Sequence, residues 1–126
     1  MNKHRVPLSN VVADEDGVGG GVVDIVRCKG FVNNSKALKE ENNNVEYQNL
    51  KTQCYYKLSE KIQNNGVYIY CSDGTVQDDI IKELEQVKRD KIDNDGKLRM
   101  VPKEKVKEFI GRSPDYSDAL AFRMYF

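Results

Sequence analysis

The stretch LSNVVADEDGVGGGVVDIVRCKGFV, residues 8–32, decides the fold. Its first part, Leu8–Ala13, is rich in β-branched residues and is followed by acids, so it predicts a buried strand. The apolar residues after the glycine run recur at helical spacing, and Gly30 stands where such a helix would end. Phe31 and Val32 then predict a second, parallel strand. This order of elements indicates a mixed α/β fold.

The rest of the chain continues with helices and short strands. Residues 33–46 are rich in Asn, Lys and Glu and predict a polar loop. The next pattern predicts a helix over 47–63 with one apolar face, formed by Leu50, Cys54, Leu58 and Ile62. A strand over 67–71 and a helix that carries Ile80, Leu84 and Val87 are predicted next, followed by an edge strand over 97–101. The chain then predicts a short helix from Pro102 to Gly111 and a last helix that is capped by Ser113 and has Pro114 at its first position.

Length and composition exclude several classes of protein. The chain has 126 residues, 20 basic and 20 acidic side chains, and no apolar run near the roughly 20 residues that cross a bilayer. Its first residues carry no secretory signal, which favours a cytoplasmic location. The three cysteines lie far apart and predict reduced thiols. From Lys97 onward, the sequence contains seven basic and four acidic residues. This excess of positive charge is compatible with a phosphate-binding surface or with an ordinary solvated surface.

The first candidate site is the acidic run Asp14–Asp16 that follows the first strand. Ligands of open α/β sheets bind at the carboxyl ends of the strands, so this position favours a binding site. The alternative is that the acids occupy a turn and interact with the positive end of the next helix. The glycine run behind them could bind an anion, but it matches neither a P-loop nor a dinucleotide fingerprint.

The second candidate site is the pair Asp115 and Asp118 in the last helix. Their spacing of three places them on one face, and Phe122 and Tyr125 continue that face toward the core. A buried carboxylate must be paired, protonated or bound to a cation. Alternatively, both acids merely complement the helix dipole. Carboxylates from a strand end and from a distant helix are what a magnesium or manganese site requires.

Three motifs in matching order resemble the nuclease domain of the large terminase subunit of tailed phages, the motor that packages DNA. Residues 11–24 resemble the family's strand that ends in an acid and leads through a Gly-Val-Gly turn into a helix. Residues 47–53, YQNLKTQ, are similar to its Tyr-x-Asn-x-Lys/Arg-x-Gln helix start. Residues 111–120, GRSPDYSDAL, resemble its closing Ser-Pro-Asp-x-x-Asp-Ala-Leu helix.

The resemblance implies a ribonuclease H-like fold that cuts concatemeric double-stranded DNA with two divalent ions, Mg²⁺ or Mn²⁺. It implies that Asp14 and Asp118 hold metal. Asp115 occupies a neighbouring position where the family has an Asp or a His, and it is the third candidate. Glu15 and Asp16 are interpreted as bystanders or as groups that support the ligands.

The chain departs from the family upstream of Leu8. The family's first catalytic acid lies on a first strand that this sequence does not match, and two further strands and the ATPase domain are also unmatched. We therefore expect residues 1–126 to be one partial domain, with 1–7 as an extension. Little or no cleavage by this chain alone is expected, as is a homodimer through the open sheet edge. Partners of the intact protein would be the ATPase domain, the small terminase subunit and the portal.

Two other functions remain open at this stage. The first is a non-enzymatic, prophage-derived assembly module whose basic tail contacts DNA or a partner protein. It predicts that substitution of Asp14 or Asp118 leaves ion affinity unchanged. The second is a nucleotide-binding α/β protein that uses the glycine turn, and it predicts thermal stabilisation by nucleotide.

Overall fold

The structure is a computed structural model that describes residues 4–16, 19–41 and 44–126. Gly17 and Val18 of the predicted glycine turn lie outside the described residues. The elements are β1 (Val12–Asp14), α1 (Gly19–Val26), β2 (Lys29–Phe31), α2 (Leu50–Gln63), α3 (Gly74–Gln86), α4 (Lys103–Ile110) and α5 (Asp115–Phe122), with 3-10 turns at Leu8–Asn10 and Arg123–Tyr125. The predicted mixed α/β class is confirmed.

The two strands pair in parallel, as the sequence predicts, with Asp14 opposite Phe31. The prediction that Gly30 ends the preceding helix is wrong. The helix α1 already ends at Val26, and Arg27 takes a left-handed backbone conformation with φ 57°. Gly30 lies inside β2, where a Cβ atom would collide with the side chain of Glu15. The absence of a side chain at Gly30 therefore leaves room for the side chain of Glu15 against the backbone of β2.

The predicted strand over Leu8–Ala13 is shorter and less buried than expected. Leu8–Asn10 forms a 3-10 turn, in which Asn10 N–H donates to the carbonyl of Pro7 at 2.9 Å. Ser9 and Asn10 are turn-forming residues and Pro7 fixes the entry to the turn, which accounts for the late start of the strand. The strand β1 begins at Val12 and is half-buried along its length.

The core lies where α2 and α5 pack against β2. Phe31 is fully buried, and its ring stacks on Phe122 with centroids 4.2 Å apart. Leu50, Cys54 and Leu58 of α2 are buried at the predicted spacing of four, whereas Ile62 is exposed near the end of the helix. Burial raises the pKa of the Cys54 thiol to about 11, although the nearby charge of Lys57 opposes the shift. All three cysteines are free, as predicted.

The two remaining predicted strands do not form as such. Residues 67–71 are irregular, and Tyr68 and Tyr70 are 88% and 87% exposed. Residues 97–101 form only isolated bridges, Leu98 with Tyr47 and Met100 with Arg89. A segment rich in β-branched and aromatic residues is suited to a sheet, but it forms a strand only where a neighbouring strand is present to pair with it. Within the described residues, the sheet consists of β1 and β2, and neither segment pairs with it.

The C-terminal helices begin and end near the predicted residues, except that the cap of the last helix differs. Pro102 precedes α4, and Gly111 ends it in a left-handed conformation with φ 75°. The prediction that Ser113 caps the last helix is wrong, because Pro114 occupies the cap position and offers no side-chain hydrogen bond. Among the described residues, none of the helices is both long and apolar enough to span a membrane.

Candidate active site

Asp118 is a buried carboxylate in the first turn of α5, only 6% exposed. The hydroxyl of Tyr55 donates to its Oδ1 at 2.6 Å, and the ammonium of Lys51 lies 2.9 Å from the same oxygen. The ammonium of Lys103 donates to Oδ2 at 2.7 Å. The inward orientation predicted for Asp118 is confirmed, and its charge is compensated by two cations and a hydroxyl.

This environment keeps Asp118 ionised. Burial alone would raise the pKa of Asp118, but the charge of Lys51 and the hydrogen bonds from Lys103, Tyr55 and Lys51 lower it below its ordinary value. Burial and the adjacent Asp118 charge raise the pKa of Tyr55, so its hydroxyl stays protonated and acts as a hydrogen-bond donor. The site thus holds a charged carboxylate in a mostly dry position.

Asp14 lies at the carboxyl end of β1 and is held by its neighbours. Its Oδ1 accepts from the backbone N–H of Asp16 at 3.0 Å and from the side-chain amide of Asn33 at 3.4 Å. Asp16 in turn accepts from the backbone N–H of Asn33 at 3.1 Å and from the Asn33 side chain. The side-chain amide of Asn33 thus bridges the carboxylates of Asp14 and Asp16.

Lys103 contacts Asp118 and is also affected by the charge of Asp14. Its partial burial lowers its pKa, but the hydrogen bond that it donates to Asp118 and the charges of Asp118, Asp115 and Asp14 raise it, with a net increase. The three acids thus act on one ammonium group, although Asp115 itself is exposed. Beside them is an open cleft of about 410 Å³. Its walls include Asp16, Asn33, Lys51, Thr52, Lys103 and Glu104.

The donor chemistry suits a hard cation, but the present arrangement favours ammonium groups. Carboxylate oxygens from a strand end and from a helix are the ligands that Mg²⁺ and Mn²⁺ prefer. Within the described ranges, however, no three side chains of Asp, Glu, His or Cys are grouped closely enough to hold a metal ion. The two oxygens of Asp118 are occupied by lysines and a tyrosine. A metal ion would therefore compete with Lys103 for Asp118.

The YQNLKTQ motif begins the helix that supplies two of the three contacts to Asp118. The side chain of Asn49 caps α2 by accepting from Thr52 N–H at 2.9 Å. Lys51 points its ammonium at Asp118, and one turn later Tyr55 donates to the same carboxylate. Gln53 binds the backbone of Leu38 in both directions, at 2.7 and 2.9 Å, and so ties the polar loop to α2. Sequence reasoning noted this motif but missed the ion pair of Lys51 with Asp118.

Solved structures of one phage protein match this chain. The nuclease domain of the large terminase subunit gp2 of bacterial virus Sf6, as a lysine-to-alanine mutant with manganese, superposes with a TM-score of 0.72 at 22% identity, over 90% of this chain and 64% of the other. The same mutant with calcium gives a TM-score of 0.71 at 22% identity, over 90% and 63%. The nuclease domain with no mutation named gives 0.71 at 23% identity, also over 90% and 63%.

The likeness is one of structure. No protein-family model matches the chain, and no curated protein does. The chain spans less than two thirds of the length of the matched domains, which agrees with the expectation of a partial fold. The structural correspondence extends over nine tenths of this chain. The chain therefore has the ribonuclease H-like fold of a phage large-terminase nuclease domain, represented in part.

Proposed function

We propose that this chain is the C-terminal portion of a phage terminase nuclease domain that cuts double-stranded DNA with divalent metal ions. In this proposal Asp14 and Asp118 hold Mg²⁺ or Mn²⁺, and Asp115 assists from the exposed side of α5. The intact protein would work with its ATPase domain, the small terminase subunit and the portal in the bacterial cytoplasm. Alone, this chain would have little or no activity, because it offers no match to the family's first-strand acid.

The ion pair of buried Asp118 with Lys103, 2.7 Å apart beside a cleft that Lys103 lines, carries the proposal. The charges of Asp14 and Asp115 also act on the Lys103 ammonium group, although the two acids come from opposite ends of the chain. The fold supports the same reading, because two of the matched structures hold manganese or calcium in the nuclease domain of gp2.

The protein side chains would prepare the site for a phosphodiester. Lys51 and Tyr55 keep Asp118 ionised and fixed in one orientation, so that it presents a charged oxygen without reorganisation. Lys103 and Lys51 provide positive charge at the cleft, which attracts the DNA backbone. A divalent ion, when bound, lowers the pKa of a water molecule and neutralises charge on the phosphate.

Self-association through the open sheet edge is part of the proposal. The strand β1 pairs with β2 on one side, and no other strand in the described residues adjoins it. Val22 and Ile25 on the connecting helix α1 are exposed, Ile25 by 85%. An unpaired strand edge beside exposed apolar side chains favours pairing with a second copy. A constant monomer mass across concentrations in light scattering would contradict a dimer.

Nicking of supercoiled plasmid by the purified chain in Mn²⁺ tests the activity. We expect little or no conversion to the nicked form, at most a trace that EDTA removes. Asp118→Asn is the matched control, since it removes the charge and keeps the shape. Rapid cleavage by the parent chain would contradict the expected requirement for a further acid. Cleavage that survives both EDTA and Asp118→Asn would contradict the proposed site altogether.

A second function is favoured by the lysine pairing itself. Both oxygens of Asp118 already have cationic partners, which is also what a purely structural buried ion-pair network requires. On this reading the chain is a non-enzymatic, prophage-derived assembly module that binds DNA or a protein. Manganese affinity that is insensitive to Asp14→Asn and Asp118→Asn would favour it.

A further inference from the structure

A second buried carboxylate, that of Glu83, contacts Ser117, the residue that precedes Asp118. Glu83 of α3 has no exposed surface. Its carboxyl group belongs neither to the sequence motifs nor to the proposed metal site. An unpaired carboxylate at such a position would be strongly destabilising. Its partners therefore define what it does.

Glu83 joins α3 to the beginning of α5. Its Oε2 accepts from the backbone N–H of Ser117 at 2.7 Å, and its Oε1 accepts from the guanidinium of Arg112. Arg112 also donates to the carbonyl of Ser113 at 3.0 Å. The first amides of a helix have no partner within the helix, and Pro114 provides none. Glu83 thus caps α5 from a different helix.

The capped residue connects directly to Asp118. The Ser117 hydroxyl lies 3.0 Å from the Tyr55 hydroxyl and 3.1 Å from the carbonyl oxygen of Pro114, and its single proton can be donated to either oxygen. The same Tyr55 hydroxyl donates to Asp118. Glu83 fixes the backbone of Ser117, and Ser117 and Tyr55 together fix the carboxylate that follows. Two ion-pair systems, one around Glu83 and one around Asp118, thereby hold the same helical turn from two sides.

We propose that Glu83 and Arg112 are positioning residues that orient Asp118 for metal binding by clamping the first turn of α5. The inference rests on the proposed function for its consequence, but the clamp itself is a matter of geometry. Side chains that orient a metal ligand from behind commonly affect metal affinity by about 10- to 100-fold. Loss of the clamp should therefore weaken the site without removing a ligand.

The test compares Glu83→Gln with Asp79→Asn in the full chain. Glutamine has an NH2 group in place of one carboxylate oxygen, so the contact with either Ser117 N–H or Arg112 is lost. Asp79 lies 3.5 Å from the second terminal nitrogen of Arg112, so Asp79→Asn removes a charge beside Arg112 but leaves the groups of the Glu83 clamp in place, which makes it the matched control. We expect Mn²⁺ affinity, measured by electron paramagnetic resonance, to fall about 10-fold in Glu83→Gln and to stay unchanged in Asp79→Asn.

A readout that does not depend on metal separates the clamp from the proposed function. At neutral pH without metal, the NMR resonances of the Ser117 amide proton and the Asp118 carboxyl carbon should shift in Glu83→Gln. The same resonances should shift in Arg112→Met and lie closer to those of the parent chain in Arg112→Lys. Unchanged resonances in a folded Glu83→Gln variant would overturn the inference. If Glu83→Gln does not fold, unchanged Asp118 resonances in Arg112→Met would overturn it. Absence of Mn²⁺ binding by the parent chain would refute the proposed function and leave these resonances to decide the clamp.

Discussion

Replacing Phe31 by alanine is expected to lower the free energy of unfolding by about 3–5 kcal/mol, the range for truncation of a buried aromatic side chain. Phe31 is fully buried, stacks on Phe122 and meets Tyr125 edge to face at 5.5 Å. This loss is a large fraction of the roughly 5–15 kcal/mol by which a typical domain is stable. Urea denaturation followed by circular dichroism measures it.

The consequence extends to the candidate site. Phe31 is the register partner of Asp14, and its carbonyl accepts from the N–H of Glu15 at 2.9 Å. A cavity at this position would loosen the strand end that carries Asp14. Phe109→Ala is the matched control, because the ring of Phe109 is 78% exposed and its removal should change stability by about 0.5 kcal/mol or less. Equal losses in the two variants would contradict the assignment of the core.

Replacing Lys103 by methionine is expected to raise Mn²⁺ affinity on the order of tenfold, about 1.4 kcal/mol. The ammonium of Lys103 lies 2.7 Å from Oδ2 of Asp118, where it competes with a cation for the same oxygen. Methionine keeps an unbranched stem and removes the charge. Asp118 would remain ionised, because Lys51 and Tyr55 still contact it. Isothermal titration of the folded variant with Mn²⁺ measures the change.

Lys105→Met provides the control for the loss of one positive charge on α4. Lys105 is exposed on the same helix, so its removal tests only the general field. We expect its effect on Mn²⁺ affinity to be small and to disappear at high salt, because surface charges are screened. An affinity that falls in Lys103→Met would contradict competition and would indicate that Lys103 supports the metal site.

Local patterns predicted the helices well and the strands poorly, for a physical reason. The spacing of Leu50, Cys54 and Leu58 defines a helix face within the helix itself, and Gly111 ends α4 because its left-handed conformation suits glycine. The strand composition of residues 67–71 carries no such internal information. A strand needs a partner elsewhere in the chain, and that partner is not encoded in the segment.

The site divides in the same way. Asp14 and Asp118 could be proposed as candidates from the sequence because each stands in a local motif, at a strand end and in the first turn of a helix. The residues that surround them could not, because Tyr55, Lys103 and Glu83 reach Asp118 or its helix across 63, 15 and 34 positions of sequence. Asp115 was expected on the same inward face as Asp118, but it is exposed at the first position of α5.

Manganese titration of the parent chain and of Asp14→Asn and Asp118→Asn, followed by electron paramagnetic resonance, tests the central claim most directly. Asp24→Asn is the matched control, since Asp24 is an exposed acid on α1. The account predicts that the parent chain binds Mn²⁺, that each site substitution weakens binding by about tenfold or more, and that Asp24→Asn has no effect. Binding that is absent, or that is equally strong in all four proteins, would contradict a metal site formed by Asp14 and Asp118.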